Sequence, residues 1–353
     1  MKNVCVLVAS AGLAGAAMGQ LQLQLVNSID LLDTQDPTSS AFIGSNPSTV
    51  AWDGTDMYVA GWNNGRGNDT PHGIVRIADA ANSSALGTAF GQRPTLNFRG
   101  YLSVDVRNGQ VAAAFENGAN DPQGLAIYNG ATGALVDSRT SRPIFANWDP
   151  AVAGGNAVSW SEFGSGRLRV SDGDNLNNLL FDGTNGPVIF NGSSIWRGQD
   201  IDDSGNIAVA DGNGNISYFA RTGPNSTAAA VTLATTSGAL GPFTGNGINP
   251  AILNTSFGDF VMYNDRGVAG ATLGSAIKAV DLNGAAQTIE FVGLSDALAS
   301  ATGWYDFDYD SATGTLAVVD FSNRLAWVFN VVPAPSSAMA LGLAGLVALR
   351  RRR

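Results

Sequence analysis

The residues of this chain that could do chemistry are few, and almost all of them are carboxylates. One histidine, His72, serves all 353 residues, and it sits in the Gly- and Asn-rich stretch from Gly61 to Gly73. A Ser-His-Asp triad or a multi-histidine zinc site would rest on that single side chain, so a loop position is expected for it rather than catalysis. Five acids recur at or just beyond the ends of short apolar runs: Glu116, Glu162, Asp211, Asp265 and Asp320. Converging in a ring, such oxygens would suit calcium, which draws its ligands from carboxylates and carbonyls. The alternative is that each acid bonds its own following backbone in an Asx turn. Asp172-Gly173-Asp174-Asn175 and Asp200-Ile201-Asp202-Asp203 resemble fragments of calcium loops. They lack the full spacing with its interior Gly and closing Glu, and are read as turns. Gly212-Asn213-Gly214-Asn215 reads as a hairpin turn, with no helix after it to make a phosphate loop. Trp52, Trp148, Trp160, Trp196 and Trp304 either stack on sugar rings or fill space between sheets, the second being the commoner use of so large a side chain. No catalytic residue is assigned, and no cofactor is expected beyond calcium at the acids named.

The elements that must position these residues recur. Six stretches share an apolar core ending in a polar or turn-forming residue: Met57 to Gly61, Ala112 to Glu116, Ala157 to Ser161, Ile207 to Asp211, Phe260 to Asn264 and Leu316 to Asp320. Their starts lie roughly 45 to 56 residues apart, about the length of a four-stranded propeller blade. Most are preceded by a turn, such as Asp203-Ser204-Gly205-Asn206, and before that by another short strand. Each is followed by a further strand: Gly73 to Ile77, Gly124 to Tyr128, Arg167 to Val170, Asn215 to Phe219, Ala276 to Val280 and Arg324 to Phe329. A fourth follows a Gly or Asn turn, as Ala134-Leu135-Val136 follows Asn129 to Gly133. The pattern predicts an all-β chain folded as a six-bladed β-propeller, with a pair of β-sandwich domains as the alternative. In a propeller the five acids would gather near one mouth of the central channel. The alternating Leu21-Gln22-Leu23-Gln24-Leu25-Val26 could supply the outer strand that the last repeat lacks and so close the ring.

The clearest repeats, Asp200 to Asp211 and Asp306 to Asp320, resemble those of the NHL and SMP-30/gluconolactonase-like propellers. That resemblance implies a metal-binding carboxylate and asparagines at the ring centre.

The two ends of the chain read as addresses. Lys2, the apolar and small-residue stretch Val4 to Ala17, and Ala17-Met18-Gly19 before Gln20 predict a signal helix removed by signal peptidase, spanning residues 1–19. The one cysteine, Cys5, falls inside it, so a mature chain would hold no disulfide. At the other end Pro333, Ala334 and Pro335 precede an apolar run from Ala338 to Leu349 and then Arg350, Arg351, Arg352 and Arg353. The run predicts a short hydrophobic helix, and the arginines a stop held on the cytoplasmic side. A plain membrane anchor is the alternative, although the run is short against the ~20 apolar residues a span needs. The order of parts resembles the PEP-CTERM sorting signal, with Ala334 where that motif has Glu. The resemblance implies an exosortase as processing partner, passage through the inner membrane, and release or retention at the cell surface beside exopolysaccharide. Residues 20–332 are then the repeat domain and 333–353 the tail.

Without Lys2 and the four terminal arginines, 14 of the 19 basic residues face 29 acidic ones, a net charge of −15. Nucleic acid is a poor partner for such a body. The expected function is a non-enzymatic binding or scaffold propeller at the cell surface or in extracellular matrix, with a metal-dependent hydrolase or lactonase as the alternative.

Overall fold

The computed structural model describes residues 21–31, 43, 46–62, 73–85, 87, 89–92, 100–116, 124–162, 168–181, 198–237, 249–265, 272–294 and 303–334. Their strands form six antiparallel blades around a channel. Blade 1 is Asn46–Trp52, Met57–Trp62, Gly73–Ile77 and Ala89–Gln92, and blade 2 is Gly100–Arg107, Gln110–Glu116, Gly124–Asn129 and Leu135–Thr140. Blade 3 is Pro143–Trp148, Ala157–Glu162, Arg169–Asp172 and Asn175–Phe181, and blade 4 is Gly198–Ile201, Ile207–Ala210, Asn215–Phe219 and Val231–Thr235. Blade 5 is Pro250–Thr255, Gly258–Asn264, Ile277–Asp281 and Ala286–Gln287. Blade 6 takes Tyr305–Asp310, Thr315–Asp320 and Leu325–Pro333 from the later part of the chain and its fourth strand, Leu21–Asp30, from the earlier part. Each inner strand packs on the inner strand of the next blade, and the sixth packs on the first. The expected six-bladed propeller is the fold, and the two-sandwich alternative falls because the inner strands form one closed ring.

The closure uses the segment that alternates in sequence. Leu21–Asp30 runs antiparallel to Leu325–Pro333 from Leu21↔Pro333 to Asp30↔Leu325, with a register shift between Leu25 and Asn27. Leu21, Leu23 and Ile29 are fully buried by it. Ile289–Val292, arriving from blade 5, adds a parallel strand outside Leu21–Asp30. Pro333 therefore belongs to the third strand of blade 6, and Ala334 is buried directly after it. The expected signal helix and tail helix, with Pro335 and Arg350 to Arg353, lie outside the described residues, as do His72 and Trp196.

Six apolar clusters fill the six gaps between blades. One joins blades 5 and 6 through Leu253, Met262, Leu316, Val318, Trp327 and Phe329. Another joins blades 6 and 1 through Val50, Val59, Ala317, Val319 and Val328. Consecutive residues of Thr315–Asp320 thus feed two different clusters, which is why these second strands read as unbroken apolar runs rather than alternating ones. Alanine is common in them, as at Ala112, Ala113, Ala114, Ala208 and Ala210, all essentially buried. Blades converge toward the axis, so side chains there must be small while those farther out are large.

A buried ion pair pins blade 3 to blade 4. Arg221 Nη2 donates to Asp149 Oδ2 at 2.6 Å, with side-chain exposures of 4% and 0%. Ser159 Oγ donates to the same oxygen and Arg221 Nε to the Gly205 carbonyl. Removing one partner strands the other charge, so Arg221→Met is expected to cost about 3–5 kcal/mol in urea unfolding. Adding Asp149→Asn should recover part of that loss; a single-mutant loss below about 1 kcal/mol would show the pair to be screened by water.

Candidate functional site

The inner strands of alternate blades carry an acid at the same level of the channel. Asp105 of blade 2 accepts the Trp148 backbone N–H of blade 3, Asp200 of blade 4 accepts that of Ile252 in blade 5, and Asp308 of blade 6 accepts that of Trp52 in blade 1. All three bonds are 2.6 Å long and run through Oδ2. The result is a pseudo-threefold ring of carboxylates within a sixfold ring of blades. Asp306, two residues before Asp308, repeats the pattern one level deeper by accepting the Val50 N–H at 2.8 Å.

These acids line a cavity of about 280 Å³ at the mouth reached by the C-terminal ends of the inner strands. Asp53, Asp202, Asp203 and Asp310 stand around it, and Arg107 is the one basic residue in its wall. Below it the channel narrows to a space of about 30 Å³ walled by Thr49, Ser103, Asn147, Gln199, Asn249 and Asp306. That is room for about one water molecule.

The ring acids are buried in the wall of the channel, which disfavours charge. Burial pushes the Asp200 carboxyl up to about 8, with repulsion from Asp105 and Asp202 adding to it. Asp105 is pushed up to about 6 by burial, against the Trp148 and Val106 N–H groups. Asp306 is pushed up to about 7, again by burial and against the Val50 N–H and Thr49. Burial also holds Asp308 well above the ordinary carboxylate range, followed by repulsion from Asp105 and Asp200. The three ring acids line one space, so the charge of one disfavours the charge of the next.

Over the mouth, the first hairpin turns of the same three blades meet. Asp203 of blade 4 accepts Arg107 Nη1 of blade 2 through Oδ1 at 3.1 Å and Ser311 Oγ of blade 6 through Oδ2. Its side chain is 58% exposed and that of Arg107 30%. The clasp is therefore open to solvent and weak against salt.

The acids singled out by sequence lie at the opposite end of the blades. Asp320 pairs with Tyr305 and Glu116 with Gly100, at the starts of their inner strands, and Asp211 follows Ala210, the partner of Gly198. Asp211 Oδ1 accepts the N–H groups of Asn213 and Asn215, and Asp320 Oδ1 those of Ser322 and Asn323. Both are Asx turns. Asp265 accepts the backbone and hydroxyl of Ser237. The side chains of Glu116 and Glu162 lie outside the described residues. Among the described residues, no cluster of three or more His, Cys, Asp and Glu is disposed to hold a metal ion.

The first calcium-loop-like fragment is a turn, and the second is one only from Asp202 onward: Asp200 and Ile201 end the inner strand of blade 4, and Asp200 is one of the ring acids. Asp172 accepts the Asp174 N–H, and Asp202 those of Ser204 and Asn206. Gly205, at φ +80°, takes the left-handed position that the second turn requires. Trp52, Trp148, Trp160 and Trp304 are all at least nine-tenths buried, and Trp304 stacks on Phe321 at 4.2 Å. Trp52, Trp148 and Trp160 pack in the clusters between blades, and Trp52 and Trp148 also stand in the wall of the cavity. Sequence reading missed Asp105 and Asp308. The signal was available in their position, since each stands inside an inner strand between apolar residues, where a turn has no use for an acid.

No family model matches this chain, and no curated protein matches it. Solved structures do. An auxiliary nutrient binding protein from Bacteroides thetaiotaomicron VPI-5482 is similar with a TM-score of 0.52 at 10% identity, over 81% of this chain and 69% of that one. The Cps50 (Swd1) β-propeller domain of Myceliophteria thermophila gives 0.46 at 11% identity, over 81% and 84% of the two chains. The WD40 β-propeller domain of Doa1 gives 0.46 at 12%, over 84% and 82%. At such identities the first of these likenesses is one of fold, and the fold is the six-bladed propeller that the strand pairing draws by itself.

Proposed function

We propose that this chain is an exported, non-enzymatic binding or scaffold propeller of the cell surface or extracellular matrix, trimmed by signal peptidase and sorted by an exosortase acting on the Pro333-Ala334-Pro335 tail. The observation that carries the binding role is the preformed, acid-ringed cavity, held by hydrogen bonds between blades rather than by loops. A site built on strands needs little ordering when a ligand arrives. The nutrient binding protein of like fold is a precedent for a binding role on this scaffold.

Export is supported by the two addresses in the sequence and by where the folded ring stops. Among the described residues its first strand starts at Leu21, one residue after the expected Gln20 terminus, and Leu21 pairs with Pro333 on the outer side of blade 6. Both processing points would then lie together on the rim, away from the channel.

Mass spectrometry of the protein from its native host should find a chain starting at Gln20 and ending near Pro335. An intact tail would reduce the sorting signal to an anchor. Turnover of a lactone, sugar or phosphoester by the same sample at an enzyme-like rate would overturn the binding role.

A further inference from the structure

Among the described residues, two buried amide oxygens along the channel have no hydrogen-bond donor. Gln199, 7% exposed, gives its Nε2 to Asn147 Oδ1 at 3.2 Å, and the Asn147 side chain in turn bonds Asp105. That relay fixes the orientation of the Gln199 amide and leaves its Oε1 unpartnered in the narrow space beneath the acid ring. Asn254 gives its Nδ2 to Asp202 Oδ2 at 2.9 Å and leaves its Oδ1 unpartnered in the wall of the cavity. In both, the donor end is engaged and the acceptor end is free. The indole nitrogen of Trp148 also lacks a partner, but that ring packs into the apolar cluster between blades 2 and 3.

The channel therefore offers acceptors: three carboxylates in threefold array and two orphaned amide oxygens. A buried acceptor without a donor is costly, and a donor-bearing ligand would offset that cost. Arg107, the basic residue of the wall, is turned to Asp203 at the outer clasp and not to the ring. No cluster of three acids among the described residues is disposed to hold a metal ion, so one bare ion would not touch all three carboxylates. An ammonium group reaches farther, because its N–H donors span longer N···O distances than metal–oxygen bonds, and its three donors match the threefold array. The cavity sits at the small end of organic ligand sites, which run from about 300 Å³ upward.

We propose that the cavity binds a small hydrophilic organic cation, a protonated primary amine of monosaccharide size, with its ammonium group directed to Asp105, Asp200 and Asp308, on the side of the ring above the Gln199 oxygen, and its other donors to the Asn254 oxygen. The inference rests on the binding role proposed above and names the ligand of that site. The clasp of Asp203 with Arg107 and Ser311 would admit it by opening.

Calorimetric titration of the full chain at pH 8 and low salt tests this with glucosamine, putrescine, glucose and calcium chloride as probes. Glucosamine and putrescine should each bind one to one, and glucose at least tenfold more weakly than glucosamine. Asp308→Asn, which keeps an acceptor for the Trp52 N–H, should weaken both amines at least tenfold, while Asp174→Asn in a remote turn should not. Equal binding of glucose and glucosamine would overturn the amine and leave the binding role standing. Calcium binding lost in Asp308→Asn, without amine binding, would make the ring a metal site and overturn the amine as well. No heat from any probe overturns the inference.

Discussion

Replacing Leu21 and Leu23 together by alanine should lower the unfolding free energy by about 4–8 kcal/mol in denaturant titration, a large share of what a domain has to lose. Both side chains are fully buried in the cluster that joins blades 5 and 6, against Leu316, Trp327, Phe329 and Val331. They are also carried by the one strand that joins the two ends of the chain into a ring. Truncating them removes apolar contact and weakens the closure together. Val26 of the same strand, 39% exposed, gives the comparison: Val26→Ala should change stability by no more than about 0.5 kcal/mol. A double variant no less stable than Val26→Ala would mean that the ring holds without this strand.

Stability should fall as pH rises from about 5 to 8, the reverse of the behaviour of most acidic proteins. Asp105, Asp306 and Asp200 are pushed up to about 6, 7 and 8 in the folded chain, from an ordinary value of 3.8. Between those limits the folded state keeps protons that the unfolded state has released. Their contribution is thus full below about pH 4 and is lost as pH climbs through 6 to 8. Each group adds a slope of up to about 1.4 kcal/mol per pH unit within its window. Asp306→Asn keeps an oxygen for the Val50 N–H and removes the charge. It should unfold with a shallower pH dependence and be more stable than the parent at pH 8 by roughly 2–4 kcal/mol. Identical pH profiles for the two proteins would show that Asp306 is not held protonated by burial.

Much of the fold is legible in the sequence because a blade is a local object. Ile207–Ala210 and Thr315–Asp320 fall where their apolar runs place them, since hydrophobic runs and Gly-Asn turns act within a few residues. Even the closure strand is readable, because Leu21, Leu23 and Leu25 alternate with glutamines. The candidate site is not local. Asp105, Asp200 and Asp308 reach backbone groups 43, 52 and 256 residues away, on neighbouring blades. The letters around Asp308 mark it only by an apolar neighbour on each side, which Asp310 lacks, and they do not name its partner; Asp310 accepts the N–H and hydroxyl of Thr313 in its own turn. Acids at strand ends draw attention because strands stop there, and the same stop explains why Asp211 and Asp320 are occupied by turns. The channel acids become visible only when the ring brings alternate blades together.

The pairing of Leu21 with Pro333 also decides how the ring would bear mechanical load. Tension applied between these two adjacent ends meets the rungs of the closure one at a time and unzips them, the soft direction for a pair of strands. Asp310, Thr315 and Asn330 are in register, so Pro333 lies at the same face as the channel mouth, and tension between it and a ligand held there also runs across the strands of blade 6 rather than along them. A propeller tethered by its tail and pulled through its cargo is therefore loaded across its strands, and the neighbouring rungs of blade 6 set the force it bears.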